Sequence, residues 1–270
     1  MIKIVLIAGA ALILGGGLVY GAAYAIGERR ADARAASVTH TFPANRNISS
    51  MRINGMVARV NVRQGEGNEL RIEAQDIIEE HFKYELDAGG TLTLSYSSRL
   101  RGRSLISLPM ITRRAPVIDI YIPQGMDFEN FDIDGGVGDF NIEYVSASSF
   151  SLDSGVGRVA VRGSRVGRLK INAGVGEIDI NGEIGELEVD GGVGRVTVSG
   201  SVARDISVSG GVGEIKLDLA GDINNYDVRA EGGIGAIRVN GERANNFRNA
   251  GAPYNLTAHG GVGSISININ

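Results

Sequence analysis

The sequence predicts an all-β fold: a single-chain parallel β-solenoid of stacked two-strand coils, each about 19 residues long, preceded by an N-terminal transmembrane helix. The main observation is an internal repeat in which a small residue precedes Gly-Val-Gly and a short apolar strand follows. Successive copies are 19, 19, 18, 19, 22 and 28 residues apart. A fixed period near twenty is typical of solenoids. The central residues of the seven copies are Val137, Val156, Val175, Val193, Val212, Ile234 and Val262.

Apolar residues alternate on both sides of each Gly-Val-Gly corner. In the copy centred on Val175, Leu169 and Ile171 precede the corner, and Ile178 and Ile180 follow it. The equivalent positions are apolar in all seven copies. A spacing of two residues indicates a strand with one buried face. Each copy is therefore predicted to hold two strands, one before and one after its corner.

The corner itself is rich in glycine. The central residue has glycine on both sides in every copy. Glycine permits positive φ and close approach between backbones. We expect the central valine to point inward and fill the bend.

In the first five copies, the residue that follows the Gly-Val-Gly corner alternates in charge: Asp139, Arg158, Glu177, Arg195 and Glu214. Stacked strands would place these side chains about 4.8 Å apart on the outer surface. We expect a row of ion pairs between neighbouring coils; a recognition stripe is the functional alternative.

Both ends of the repeat array differ from its middle. An upstream copy at 53–62 carries Met56 and Ala58 in place of the flanking glycines, as expected of a terminal coil. At the other end the chain stops inside a strand, and an insertion at 241–253 precedes the last copy. We expect this insertion to cap an open end, with Phe247 covering the core; the alternative is end-to-end self-association.

Residues 1–27 are predicted to anchor the chain in a membrane. No charged residue occurs from Ile4 to Ile26, a stretch long enough to span a bilayer. A cleaved signal peptide is the alternative, because Ala23-Tyr24-Ala25 offers a cleavage site and would release a secreted protein. Residues 28–37 are interpreted as a polar tether. Both the anchor and the signal peptide would place the body outside the cytoplasm. With an anchor, the chain would be a single-pass protein of the cell membrane.

The body divides into an N-terminal β region at 38–125 and the regular repeats at 126–270. A basic loop at 97–116 has no acidic residue and surrounds an apolar centre. Such a loop could contact lipid or a partner, whereas a solvated loop is the structural alternative. Residues 119–270 are acidic overall, which argues against nucleic acid as a partner. The candidate interaction residues are Arg99, Arg101, Arg103, Arg113 and Arg114, together with Phe247.

Three segments resemble a known family. They are Ile53-Asn54-Gly55, Gly90-Thr91-Leu92-Thr93-Leu94 and Val117–Pro123, which leads into the repeats. In this combination the chain resembles the bacterial putative-adhesin β-strand-repeat family, a domain of unknown function, over about 38–270. The resemblance implies an extracytoplasmic β-solenoid, and some members accompany envelope-stress systems. It assigns no functional residue.

Motifs for catalysis or cofactor binding are scarce. No copy matches G-x-G-x-x-G, the motif of dinucleotide-binding sites, and a strand rather than a helix is predicted after each corner. His40, His81 and His259 are scattered, and there is no cysteine. We therefore expect no cofactor, no metal site and no enzymatic activity. A calcium site of the nonapeptide-repeat type is disfavoured, because only the copy at Gly135–Asp139 is acidic and the period is not nine.

The sequence therefore favours a membrane-tethered, extracytoplasmic solenoid that serves as a non-catalytic surface scaffold or adhesion module, with a protein or a cell-surface glycan as partner. One alternative is an accessory regulator of an envelope-stress signalling system. Another is a polysaccharide-active β-helix enzyme, for which Glu177 and Asp179 are the paired carboxylates to consider.

Overall fold

The computed structural model describes residues 36–43, 47–96, 115–244, 247–249 and 251–270. Over these residues the chain is built of strands and two short 3-10 helices, at Glu79–His81 and Ile223–Asn225, so the all-β prediction is confirmed. The strands form one sheet and are β1 (Ala36–Phe42), β2 (Ser50–Val57), β3 (Arg59–Gln64), β4 (Leu70–Ile77), β5 (Phe82–Leu86), β6 (Thr91–Tyr96), β7 (Val117–Ile122), β8 (Asp127–Glu143), β9 (Ser146–Val202), β10 (Ile206–Leu219), β11 (Tyr226–Ile234), β12 (Ile237–Val239), β13 (Glu242–Ala244), β14 (Phe247–Asn249) and β15 (Tyr254–Ile269).

The predicted transmembrane segment at 1–27 lies outside the described residues, as does most of the tether. Within the described part of the chain, no helix has the length and apolar character needed to cross a membrane.

Successive copies of the repeat pair in parallel with equivalent positions side by side. Between β8 and β9, for example, Phe131 faces Phe150 and Val137 faces Val156. This register stacks apolar side chains of one copy on those of the next, and the rings of Phe131 and Phe150 lie 5.2 Å apart in a T-shaped contact. All of the alternating apolar positions that the repeat predicts to be inward are buried. The core is therefore the interior of the stack.

The central corner residue faces outward, so the prediction that it fills the bend is wrong. Val212 is 39% exposed and Ile234 is 61% exposed. The small residue two positions before the centre points inward instead, and little space is left there. A Cβ on Gly191 would lie 2.9 Å from the side chain of Val196, which fills the bend. The central residues consequently form an aliphatic row on the outer face of the stack, exposed at Val212 and Ile234 and half-buried in the other five copies.

The glycine after the central residue allows neighbouring copies to stack backbone on backbone. Gly194 has a φ of +147°, a conformation that residues with a side chain rarely adopt. A Cβ there would lie 1.6 Å from the carbonyl oxygen of Gly176 in the neighbouring copy. Glycine at this position is therefore a packing requirement of the stack.

The upstream copy formed by β2 and β3 is not terminal, contrary to the prediction. β2 pairs in parallel with β6 on one side and with β8 on the other, and β3 lies in the same way between β7 and β8. Antiparallel strands β5 and β4 then cover β6 and β7, and β1 pairs with β4. The chain travels outward through β4 and β5 before it returns as β6, so its order in sequence differs from its order in space.

The last copy is also internal, which overturns the prediction of an open end at the C-terminal strand. β15 lies between β10 and β11, with Val262 facing Val212 on one side and Ile234 on the other. The insertion forms β13 and β14, which pair antiparallel with β12 and β11 of the outermost copy. The backbone of Phe247 faces Ala230 in this pairing, whereas its side chain lies outside the described residues. The insertion thus pairs with the copy centred on Ile234, and not with the last copy in the sequence, centred on Val262.

Candidate functional site

The interaction residues expected from the sequence fall outside the described structure. Residues 97–114, which carry the five arginines of the basic loop, are not described, and neither is the side chain of Phe247. A role for these six residues stays a prediction.

The alternating charges after the corners do pair across the stack, as predicted. Arg158 lies 3.1 Å from Glu177, and Arg195 lies 3.0 Å from Glu177 and 3.1 Å from Glu214. The side chains are about half exposed, so each pair contributes at most about 1 kcal/mol. The row therefore reinforces the register between copies.

Four further ion pairs, which sequence reasoning missed, link neighbouring copies in the middle of the stack. In each pair a basic residue lies 2.7–3.1 Å from an acidic residue of the next turn. The signal in the sequence is opposite charge at a spacing of 17 or 18 residues, which is one turn of the repeat. The pairs are Arg162–Asp179, Arg165–Glu183, Arg168–Glu186 and Lys170–Glu188.

Acid should weaken the fold through carboxylates such as Asp218. Lys216 lies 2.7 Å from one Asp218 oxygen and the Asn268 amide donates to the other at 2.7 Å, and these contacts lower the pKa of Asp218 below its usual 3.8. Because the folded-state pKa is lowered, the stabilisation is present above that usual value and is lost as the pH falls through the folded-state pKa. We expect the urea midpoint to fall below about pH 4.

The variant D218N tests whether the ionised carboxylate of Asp218 contributes this pH-dependent stability. It should be slightly less stable than the wild type at neutral pH, and the difference should vanish in acid, because the protonated carboxyl then resembles the amide. Urea midpoints of both proteins at neutral and acidic pH provide the comparison. A difference that does not change with pH would contradict the assignment.

A polar trough on the outer surface is the most organised candidate site. It is lined by Arg59, Asn61, Arg63, Val117, Asp119, Asp139, Asn141 and Arg158. The register of three parallel strands creates it: Asn61 on β3 faces Asp119 on β7 and Asn141 on β8. These three side chains therefore form one row across three adjacent strands.

Directed hydrogen bonds fix the row. The Asn141 amide Nδ2 donates to Asn61 Oδ1 at 2.9 Å, and Asn61 Nδ2 donates to Asp119 Oδ1 at 2.8 Å. Asn61 is only 5% exposed and Asp119 only 8%, although both lie on the outer face of the sheet. The carboxylate and the amides are thus held in one orientation before any ligand arrives.

Arginines border this row on both sides. Arg59 lies 3.7 Å from Asp139, and Arg158 is engaged with Glu177. Arg63 forms no ion pair with any described residue. The trough therefore combines hydrogen-bond acceptors, amide donors and one guanidinium without an acidic partner, a set that can bind hydroxyl groups and an anionic group together.

Sequence reasoning did not find this trough, although a signal existed. Asn61 and Asn141 occupy the same position of the repeat, and Asp119 stands between the inward residues Ile118 and Ile120. The missing element was the placement of β7 beside β3, which the chain order does not suggest. No group of three or more acidic or histidine side chains within the described residues could hold a metal ion.

The stacked copies, the glycines at their corners and the rows of outward polar side chains define a β-repeat protein. Its candidate binding surface is the outer face of the stacked strands. The chain belongs to the Toastrack DUF4097 family, whose family model matches residues 48–248. The resemblance to this domain of unknown function, stated from the sequence, is thereby confirmed.

Several solved structures align with this chain at low identity. A putative adhesin from Bacteroides fragilis NCTC 9343 is 18% identical, with a TM-score of 0.47 over 86% of this chain and 97% of that one. A putative cell adhesion protein from Clostridium sporogenes ATCC 15579 is 16% identical, with a TM-score of 0.41 over 88% and 100%. A putative lipid binding protein from Parabacteroides distasonis ATCC 8503 is 13% identical, with a TM-score of 0.42 over 87% and 96%. These similarities are too low to transfer a function. No curated protein matches the sequence.

Proposed function

We propose that this protein is a membrane-tethered, extracytoplasmic β-solenoid that acts as a non-catalytic surface scaffold or adhesion module. The observation that carries the proposal is the stack of parallel copies, which repeats the same outward positions at a fixed spacing along one continuous surface. Repeat proteins use such extended surfaces to bind partners. The uncharged segment at 4–26 supports the tether, because it is long enough to span a bilayer.

Location can be tested by thiol labelling, because the chain has no cysteine of its own. Ala203 is exposed, and in the variant A203C an impermeant maleimide should label the thiol in intact spheroplasts. Ala258 is fully buried, so the variant A258C serves as the control and should be labelled only after denaturation. Labelling of A203C that requires lysis would place the body in the cytoplasm and overturn the proposal.

The tether is tested separately by the state of the N-terminus. We expect the mature chain to begin at Met1 or Ile2 and to fractionate with membranes until detergent is added. A first residue of Ile26, together with protein in the soluble fraction, would show that the segment is a cleaved signal peptide.

A further inference from the structure

The buried polar row of the trough is not required for packing. Asn61 and Asp119 are two of the four buried polar residues in the described part of the chain. One strand further along, the position beside Asn141 is Ala160, which is 1% exposed. An alanine therefore fills this position of the sheet without a polar group. Burying an amide and a carboxylate instead costs desolvation free energy, which points to a use for their hydrogen-bonding groups.

The hydrogen bonds within the row leave groups free for a ligand. Asn141 donates to Asn61 and Asn61 donates to Asp119, so each bond occupies one acceptor oxygen. The Oδ1 atom of Asn141 and the second carboxylate oxygen of Asp119 have no hydrogen-bond partner among the described residues. Acceptors separated by an amide donor along one line are suited to a chain of hydroxyl groups.

Arg63 determines which kind of charged group the trough can bind. Arg59 contacts Asp139 and Arg158 contacts Glu177, so Arg63 is the arginine of the trough that has no ion-pair partner among the described residues. Asp119, the other charge of the trough without an ion pair, accepts a hydrogen bond from Asn61. A guanidinium without a carboxylate partner is a good ligand for an anionic group, since it can donate two parallel hydrogen bonds.

The trough offers little to an apolar partner. Val117 is the one apolar residue among the described residues that line it. Protein interfaces depend on buried aromatic and aliphatic anchors in well-packed pockets, and the trough has no such pocket. A hydroxyl-rich ligand needs polar groups held in place, which is what the row provides.

We propose that the trough binds an acidic polysaccharide, with Arg63 contacting a sugar carboxylate and the row of Asp119, Asn61 and Asn141 contacting sugar hydroxyls. This inference rests on the proposed surface function and names its ligand class.

Calorimetry with the full-length protein in a non-ionic detergent tests the proposal, with hexagalacturonate as the probe and maltohexaose as its neutral counterpart. We expect hexagalacturonate to bind and maltohexaose to bind more weakly. R63A should weaken hexagalacturonate binding about tenfold or more, the effect of losing a charged hydrogen bond, and should change maltohexaose binding little. N141A should weaken both, because it removes hydroxyl contacts.

The variant R52A is the matched control. Arg52 lies 3.7 Å from Asp132 on a surface outside the trough and is as exposed as Arg59, which lies 3.7 Å from Asp139 inside it. R59A should weaken hexagalacturonate binding and R52A should not. Equal losses for the two variants, or no binding of hexagalacturonate at millimolar concentration, would overturn the proposal. Either result leaves the thiol-labelling test of location unaffected, so the two failures can be told apart.

Discussion

Replacing Gly194 with alanine is expected to destabilise the protein by about 3–5 kcal/mol, the range of the most damaging single substitutions. The new Cβ would lie 1.6 Å from the carbonyl oxygen of Gly176, and this oxygen belongs to the backbone of β9 and not to a flexible side chain. The φ of +147° adds strain for any residue with a side chain. Neither conflict can be relieved by a rotamer change. We expect a fall in the melting temperature of about 2–4 °C per kcal/mol, measured by circular dichroism.

The residue before the central valine provides a matched comparison. A Cβ on Gly192 would lie 2.2 Å from the carbonyl oxygen of Gly174, whereas a Cβ on Gly136 would meet nothing closer than 3.8 Å, the carbonyl oxygen of Met56. Both glycines occupy the same position of the repeat, and neither has a positive φ. G192A should therefore be strongly destabilising and G136A nearly neutral. Equal melting temperatures for G192A and G136A would show that the close stacking of corners is not what requires glycine.

The sequence predicts the interior of the stack well because the repeat makes the burial pattern redundant. The alternation of apolar residues around each corner is decided by the two-residue period of a strand, and it holds in every copy. The direction of the central valine side chain at the corner was harder to predict. A run of Gly-Val-Gly does not say where the side chain of the valine points, since glycine at positive φ breaks the alternation. In the structure, the apolar residue three positions after the centre, such as Val196, fills the bend instead of the central valine.

The order of the copies in space could not be predicted from local patterns. At both ends of the stack the chain passes outward into antiparallel strands and then returns to form a further parallel rung. Pairing between strands distant in sequence depends on the competition among many edges, each of which offers the same hydrogen-bonding groups. The polar trough depends on one such pairing, between β3 and β7, and this is why its residues could be recognised only after folding.

The second large effect is expected from aspartate at Val208, and the same substitution at Val212 tests which way the corner faces. The two valines lie in the same copy, four residues apart. Val208 is fully buried, whereas Val212 is 39% exposed. V208D places a charge in an apolar core without a partner, which should cost several kcal/mol or prevent folding. V212D leaves its carboxylate in water and should cost about 1 kcal/mol or less, the typical scale of a surface change.

Thermal melts of the two variants in the full-length protein decide between an outward and an inward corner. An inward corner would make the two substitutions similarly damaging, since each would bury a carboxylate. An outward corner predicts a well-folded V212D with a melting temperature near that of the wild type, beside a V208D that is strongly destabilised or fails to fold. The aliphatic row along the stack exists only in the second case, because it consists of these central residues lying side by side on the outer face, some exposed and some half-buried.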